Sequence, residues 1–212
     1  MASDFFLNEK TACDLARMVW DSWFMVDHFE RMNEPRRPWL DAERLREKFR
    51  VEAAEKHPDV GGTTGDFAEL NLAYGILREP ALRLGHLLEI GEREASQSGA
   101  GIAVDLADLF MSLASVNGAV EDLRKRWVVA TTPLARALLA GERAKLRRSL
   151  SESLEGLGRA EEQAMGVLRE LDLGWEGATS EDWEKLASLQ ARFAYLSKWT
   201  TEVREDHFFL ND

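Results

Sequence analysis

The sequence HPDVGGTTG, residues 57–65, separates two segments in which apolar residues recur at three- and four-residue spacing. This spacing predicts an amphipathic helix on each side, because one face of a helix repeats every 3.6 residues. Pro58 must end the first helix, since proline lacks the amide proton and clashes with the preceding turn. The glycines and threonines that follow favour a turn. The stretch therefore predicts a helical hairpin with a short loop.

The residues that flank this loop predict where the helices begin and end. The helix before the loop is expected to begin after Asp41, which can act as its N-cap, and to run to about Lys56. The helix after the loop is expected to be capped by Asp66. Pro80 begins a further helix, which Gly91 ends.

The composition changes after Gly91, which predicts a second domain. Residues 92–101 are small or polar and lack apolar periodicity, as linkers do. Three long helices are predicted beyond them, which would pack as an antiparallel bundle. No alternating pattern typical of strands is present, so the predicted fold class is all-α. The predicted helices lie at about 103–127, 132–172 and 180–208. The predicted domains are an N-terminal helical extension at 1–26, with a helix at about 9–25, a first domain at 27–91, a linker at 92–102 and the bundle at 103–212.

The composition excludes several classes of function. The chain has 212 residues and a net charge of −11, which argues against binding to nucleic acid or to an anionic membrane, although a local basic site remains compatible with it. Its one cysteine, Cys13, cannot form an intramolecular disulfide or a cysteine zinc site, and the four histidines lack helical metal-ligand spacing. We expect a cytoplasmic protein with no metal, no cofactor and no membrane-spanning segment, and with neither a nucleic acid nor a membrane as a partner.

The His57-Pro58-Asp59 loop between two amphipathic helices resembles the loop of a J-domain, the module that stimulates ATP hydrolysis by DnaK-type chaperones. Further motifs resemble the HscB family, the J-domain co-chaperones of iron–sulphur cluster assembly. The resemblance covers about residues 27–205 and implies a J-domain followed by a C-terminal three-helix bundle. The motifs are Asp27-His28-Phe29, Glu34-Pro35-Arg36-Arg37, Leu40-Asp41, Phe49, the stretch from Asn71 to Pro80, Leu82-Arg83, His86-Leu87-Leu88, Leu109-Phe110-Met111 and Tyr195-Leu196-Ser197-Lys198.

The resemblance implies two binding surfaces and no catalytic residue. The loop would bind a DnaK/HscA-type ATPase and bias it toward hydrolysis, which requires different contacts with two states of that partner. Proline would hold the histidine outward, and the aspartate would supply a charged acceptor. The bundle would bind an iron–sulphur scaffold protein. The implied chaperone-binding residues are His57, Pro58, Asp59, Arg44, Lys48 and Arg50, and the implied scaffold-binding residues are Phe110, Met111, Ala114 and Tyr195.

Departures from the family pattern leave alternatives open. Glutamates interleave with the basic residues of the helix before the loop, so that helix is nearly neutral and would steer a partner weakly. Ser115 and Gly118 stand where the scaffold-binding patch would carry acids, which favours a J-domain adaptor for a different client. Spacing alone also allows Phe110 and Met111 to be core residues. An enzyme or regulatory bundle with an accidental His-Pro-Asp would need a convergent polar pocket.

Overall fold

The computed structural model describes residues 26–91 and 104–211. Over these ranges the protein contains only helices and turns, which confirms the all-α prediction. The predicted helix at 9–25 and the predicted linker at 92–102 lie outside the described residues. The helices are α1 (His28–Arg31), α2 (Ala42–Lys56), α3 (Thr64–Arg78), α4 (Pro80–Ile90), α5 (Val104–Val129), α6 (Pro133–Leu173) and α7 (Ser180–Asn211), with 3-10 turns at Pro58–Val60 and Trp175–Gly177.

The helix boundaries follow the predicted signals with one exception. Helix α2 begins directly after Asp41 and ends at Lys56, as predicted. Helix α3 begins at Thr64, two residues before Asp66, so the prediction that Asp66 caps it is wrong. The Thr63 Oγ1 atom instead accepts a hydrogen bond of 3.0 Å from the amide of Asp66. Thr63 thus occupies the N-cap position, and Asp66 places a negative charge in the first helical turn, where it favours the helix dipole.

The first compact unit contains residues 26–36 and 42–77. Its centre is formed by Phe29, Met32, Leu45, Leu70 and Leu77, whose exposed fractions are at most 1%. These residues come from α1, its C-terminal turn, α2 and α3. Phe49 of α2 also stacks on Tyr74 of α3, with ring centroids 4.1 Å apart. The 3-10 turn at Pro58–Val60 lies between the end of α2 and the start of α3.

The second compact unit contains residues 37–41, 78–91 and 104–211. Helix α6 packs on α5 and on α7, and α4 packs on α7. Together, α5, α6 and α7 form the predicted C-terminal bundle. The predicted boundary between the domains falls outside the described residues and stays a prediction. The largest fully buried side chains of this unit are Leu84, Leu88, Leu123, Leu150, Leu157, Leu168 and Leu186.

A buried carboxylate attaches residues 37–41 to the second unit. Asp172, near the end of α6, accepts a hydrogen bond of 2.9 Å from Arg37 Nε and one of 3.1 Å from the amide of Trp39. A second guanidinium nitrogen of Arg37 lies 2.6 Å from the other carboxylate oxygen. Arg83 donates from Nε to the carbonyl of Pro38 at 2.8 Å. Burial lowers the pKa of Arg83 to about 10, against the opposing effect of the nearby Asp172 charge.

Candidate functional site

The loop at 57–62 is a compact turn held by its own backbone. His57 is the N-cap of the 3-10 turn, and its Nδ1 accepts a hydrogen bond of 3.2 Å from the amide of Asp59. The carbonyl of His57 accepts from the amides of Val60 and Gly62 at 3.0 and 3.1 Å. Gly61 closes the turn with a φ of +98°, in the left-handed region that glycine adopts without strain. These hydrogen bonds stabilise the compact turn.

The side chains of this loop point into solvent. The side chain of His57 is 45% exposed, and its ring contacts Phe67 of α3 edge-on, with ring centroids 5.1 Å apart. The side chain of Asp59 is 86% exposed, and its carboxylate lies 3.4 Å from His57 Nδ1. Because Nδ1 accepts from an amide, the neutral imidazole carries its proton on Nε2. The turn therefore offers a histidine donor and a carboxylate acceptor side by side.

Gly62 lets the end of α2 approach the loop closely. A Cβ atom at this position would lie 2.0 Å from the backbone carbonyl oxygen of Lys56. Any other residue would therefore displace the loop from the end of the helix. The sequence suggested a turn here but contained no sign of this contact.

Arg31 connects the three helices that support the loop. Its guanidinium lies 3.5 Å from the carboxylate of Glu52 on α2, and it donates to the carbonyl of Asp66 on α3 at 3.1 Å. Glu69 is a further partner at 3.9 Å. Sequence reasoning missed Arg31 because its partners lie 21 and 35 residues away, outside any helical spacing.

Lys48, which the resemblance assigns to chaperone binding, is directed toward the segment after α1. Its Nζ lies 2.7 Å from a carboxylate oxygen of Glu34 and 2.6 Å from the carbonyl oxygen of Asn33. Its side chain is 25% exposed and that of Glu34 is 5% exposed. The ammonium group of Lys48 is therefore already engaged within the first unit.

Other basic residues of α2 are also paired with acids. The pairing with Arg50 lowers the pKa of the Glu47 carboxyl below its ordinary value. Arg44 is exposed on the same helix. Three of the four glutamates of this helix are thus direct partners of its cations. The pairs are Arg46 with Glu43, Arg50 with Glu47 at 2.7 Å, and Lys56 with Glu52 at 3.1 Å.

A second candidate surface lies on α5 and α7. Phe110 and Tyr195 both contact Trp199, with ring centroids 5.7 Å apart in each case, and the two residues are 37% and 38% exposed. Met111 is 67% exposed, and Ala114 is exposed as well. The bundle therefore brings together an exposed apolar patch, defined here as Phe110, Met111, Ala114 and Tyr195, above the buried Trp199. Neither Phe110 nor Met111 is a core residue.

The described part of the chain contains neither a group of side chains suited to hold a metal ion nor a helix suited to span a membrane. Within residues 26–91 and 104–211, histidine, cysteine and acidic side chains form no group of three or more suited to hold a metal ion. No helix within the same ranges is both long enough and apolar enough to span a lipid bilayer.

Comparison with solved structures identifies the fold. The chaperone HscB from Vibrio cholerae superposes with a TM-score of 0.52 and 18% sequence identity, over 87% of this chain and 99% of that protein. No protein-family model matches the chain, and no curated protein matches its sequence. The HscB-type fold that the sequence motifs predicted is thereby confirmed.

Proposed function

We propose that this protein is a J-domain co-chaperone that stimulates the ATPase of a DnaK/HscA-type chaperone and delivers an iron–sulphur scaffold protein to it. The observation that carries the proposal is the exposed His57-Pro58-Asp59 turn between two packed helices, in a chain with the HscB-type fold. The protein itself would contribute binding groups and no catalytic group, cofactor or metal. We expect it to act in the cytoplasm.

The turn is suited to recognising one state of a partner. Its backbone hydrogen bonds and Pro58 fix the conformation before binding, so that little conformational entropy is lost on docking. His57 Nε2 can donate to an acceptor on the partner, and the Asp59 carboxylate can accept from a guanidinium or an amide. Stimulation follows if the partner ATPase meets both groups only in its hydrolysis-competent state.

The surface of α2 would add a weaker, charge-dependent contribution. Arg44 and Arg50 are exposed, and we propose that they contact an acidic surface of the chaperone. Because Arg50 is paired with Glu47, the field that this helix projects is smaller than its number of cations suggests. We propose a supporting role for Lys48, which holds the segment after α1 against α2.

The apolar patch is the proposed binding surface for the scaffold. Exposed aromatic and methionine side chains above a buried tryptophan are typical of the centre of an interface. Ser115 and Gly118 are exposed on the same helix and carry no charge, so the surface next to the patch lacks acids at these two positions. This favours, as a second candidate, a J-domain adaptor whose client is a different protein.

The loop is tested by single-turnover ATP hydrolysis with candidate DnaK-type chaperones, comparing wild type with His57→Gln. Stimulation by the wild type and its loss in His57→Gln are expected. His207→Gln, which changes a partly exposed histidine near the end of α7, is the matched control and should stimulate normally. No stimulation of any candidate by the wild type, or equal stimulation by wild type and His57→Gln, would contradict the proposal.

The client is tested by capture of a purified iron–sulphur scaffold protein on the immobilised chain. The double variant Phe110→Ala with Tyr195→Ala should lose capture while still stimulating the ATPase, because the loop is unchanged. Leu173→Ala, at an exposed leucine of α6, is the control. Undiminished capture by the double variant would place the binding surface elsewhere, and no capture by the wild type would favour a different client.

A further inference from the structure

Four aliphatic side chains protrude around the connection between α5 and α6. Val128 and Val129, at the end of α5, are each 75% exposed, and Leu134 and Leu138, in the first turns of α6, are 72% and 77% exposed. Only residues 130–132 separate the two helices. Isolated exposed aliphatics are common, but several so close together in one hairpin form a patch that requires an explanation.

The same end of the hairpin is strongly basic. Residues 121–148 contain eight Lys and Arg residues and three acids, Glu121, Asp122 and Glu142, for a net charge of +5 in a chain whose net charge is −11. Arg147 and Arg148 are exposed and make no side-chain hydrogen bond or ion pair with any residue that the structure describes. The net charge of this region is therefore positive, although that of the whole chain is negative.

The basic and aliphatic residues share one face of α6. Leu134, Leu138, Gly141, Lys145 and Arg148 follow one another at alternating spacings of four and three residues, which places them in one stripe along a helix. All five are exposed. The stripe begins with leucines at the end of the hairpin and continues with cations, over about 21 Å of helix.

The other five cations of this region are engaged by neighbouring residues. Arg124 pairs with Asp206, Lys125 with Glu121 and Asp122, and Arg126 with Glu142. Arg136 and Arg143 lie over the ring of Trp127, at 5.5 and 4.6 Å from its centroid. Arg143 also donates to the carbonyl of Leu210 at 2.8 Å, which attaches the end of α7. The aliphatic side chains are therefore presented by a fixed structure.

We propose that this end of the hairpin, defined as Val128, Val129, Leu134 and Leu138 with Lys145, Arg147 and Arg148, docks on an anionic lipid surface. The aliphatic side chains would enter the interfacial layer, and the cations would lie at the level of the lipid phosphates. This is peripheral binding, which needs no membrane-spanning helix.

Charge and shape favour lipid over the other occupants. A second copy would bring a second group of cations to the same place, and the like charges would repel. A protein partner would have to supply a pocket for each protruding side chain, whereas a fluid lipid layer adapts to them. The acidic surface elsewhere opposes binding only weakly, because charges more than about 10 Å away are largely screened at physiological salt.

Co-sedimentation of the 212-residue chain with lipid vesicles tests the proposal. Wild type should sediment with vesicles that contain phosphatidylcholine and phosphatidylglycerol, and not with phosphatidylcholine alone. The double variant Leu134→Asp with Leu138→Asp should lower the partition coefficient at least tenfold, since two leucine side chains no longer leave water. The double variant Arg147→Gln with Arg148→Gln should lower it roughly tenfold or more.

Two controls make the test specific to this end of the hairpin. Leu173→Asp changes a leucine that is 88% exposed at the other end of α6, and Arg159→Gln removes an exposed cation from its middle. Both should sediment like wild type. All variants change exposed side chains, and circular dichroism should show the wild-type helix content.

Three results would overturn the proposal. One is no sedimentation of wild type with anionic vesicles, and another is equal sedimentation with both kinds of vesicle. The third is an unchanged partition coefficient in the Leu134→Asp, Leu138→Asp variant. Binding of an acidic, leucine-containing peptide in the absence of vesicle binding would identify the surface as a protein-docking site instead.

Discussion

Replacing Gly62 with alanine should destabilise the loop that carries the His-Pro-Asp motif. The added Cβ would lie 2.0 Å from the carbonyl oxygen of Lys56, whereas such contacts are essentially never shorter than 3.0 Å. Because the obstacle is backbone at the end of α2, no side-chain rotation relieves the contact. The loop must therefore move by about 1 Å.

A movement of this size would break the hydrogen bonds of the turn. The amides of Val60 and Gly62 donate to the carbonyl of His57 at 3.0 and 3.1 Å, and the amide of Gly61 donates to Pro58 at 3.2 Å. Each such bond contributes about 0.5–1.5 kcal/mol net, and water can replace part of this at an exposed turn. We expect Gly62→Ala to lower the free energy of unfolding of the first unit by about 1–3 kcal/mol.

Hydrogen exchange read by mass spectrometry measures this loss in the 212-residue chain. The amides near Leu70 and Leu77 lie in the centre of the first unit and exchange when that unit opens. A loss of about 1–3 kcal/mol corresponds to exchange roughly 5- to 150-fold faster than in wild type.

Gly75→Ala is the matched control, because it adds the same methyl group where the consequence should be opposite. Gly75 lies within α3, and outside the backbone of that helix no atom lies within 4 Å of the position that the added methyl carbon would take. Alanine favours a helix over glycine by about 0.5–1 kcal/mol, so exchange should be slower than in wild type. Exchange in Gly62→Ala within about twofold of wild type would contradict the expected clash with Lys56, and faster exchange in Gly75→Ala would contradict the expected gain in helix stability.

Four further substitutions test other parts of the structure. Asp27 accepts from the amides at the start of α1 and from Arg36; burial raises its pKa, but these hydrogen bonds outweigh burial and the net pKa is lowered. Its charge therefore stabilises the fold above about pH 4, and this stabilisation is lost as the pH falls through the lowered pKa. In urea unfolding, Asp27→Asn should lower the free energy of unfolding by about 0.5–1 kcal/mol at pH 7 and should not change it at a pH below the lowered pKa. A difference between wild type and variant that grows toward low pH would contradict this. In urea unfolding, Asp172→Asn should lower the free energy of unfolding of the second unit by about 2–3 kcal/mol, because a buried carboxylate loses its charge opposite the guanidinium of Arg37. An unchanged midpoint urea concentration would argue against a stabilising role of Asp172. Phe110→Ala should lower the melting temperature, because Phe110 packs on the buried ring of Trp199. Met111→Ala should leave the free energy of unfolding within about 0.5 kcal/mol of wild type, because Met111 is mostly exposed. Equal effects of the two substitutions would show that the apolar patch on α5 and α7 is not organised as described.

The extent of the helices was predictable because its signals are local. Pro58 and Pro80 act within one turn of the chain, and the apolar period along α6 is set by that helix alone. The start of α3 was missed because Thr63 and Asp66 are both good caps, and they stand three residues apart. Which of them caps the helix depends on the backbone conformation of the loop.

The parts of the site that could not be predicted depend on contacts between distant residues. Lys48 was assigned to the chaperone-binding face, and nothing in the neighbouring sequence indicates that Glu34 lies beside it. The contact of Tyr195 with Trp199 follows from their spacing of four residues in one helix. The approach of Phe110 to the same ring depends on how α5 and α7 pack together, which periodicity does not fix.

If the proposed chaperone contacts α2, the paired cations of this helix make binding an exchange of ionic partners. For an acidic surface to reach Arg50, that surface must displace Glu47 from it, and the displaced carboxylate must then be hydrated or moved away. The net free energy gained is the difference between the attraction of Arg50 to the acidic surface and its attraction to Glu47, which are similar. Added salt weakens the internal pair and the external pair together, so the rate of association should change little with ionic strength. Selectivity among related chaperones would then depend on the fit of the His57-Pro58-Asp59 turn, since attraction at a distance distinguishes them poorly.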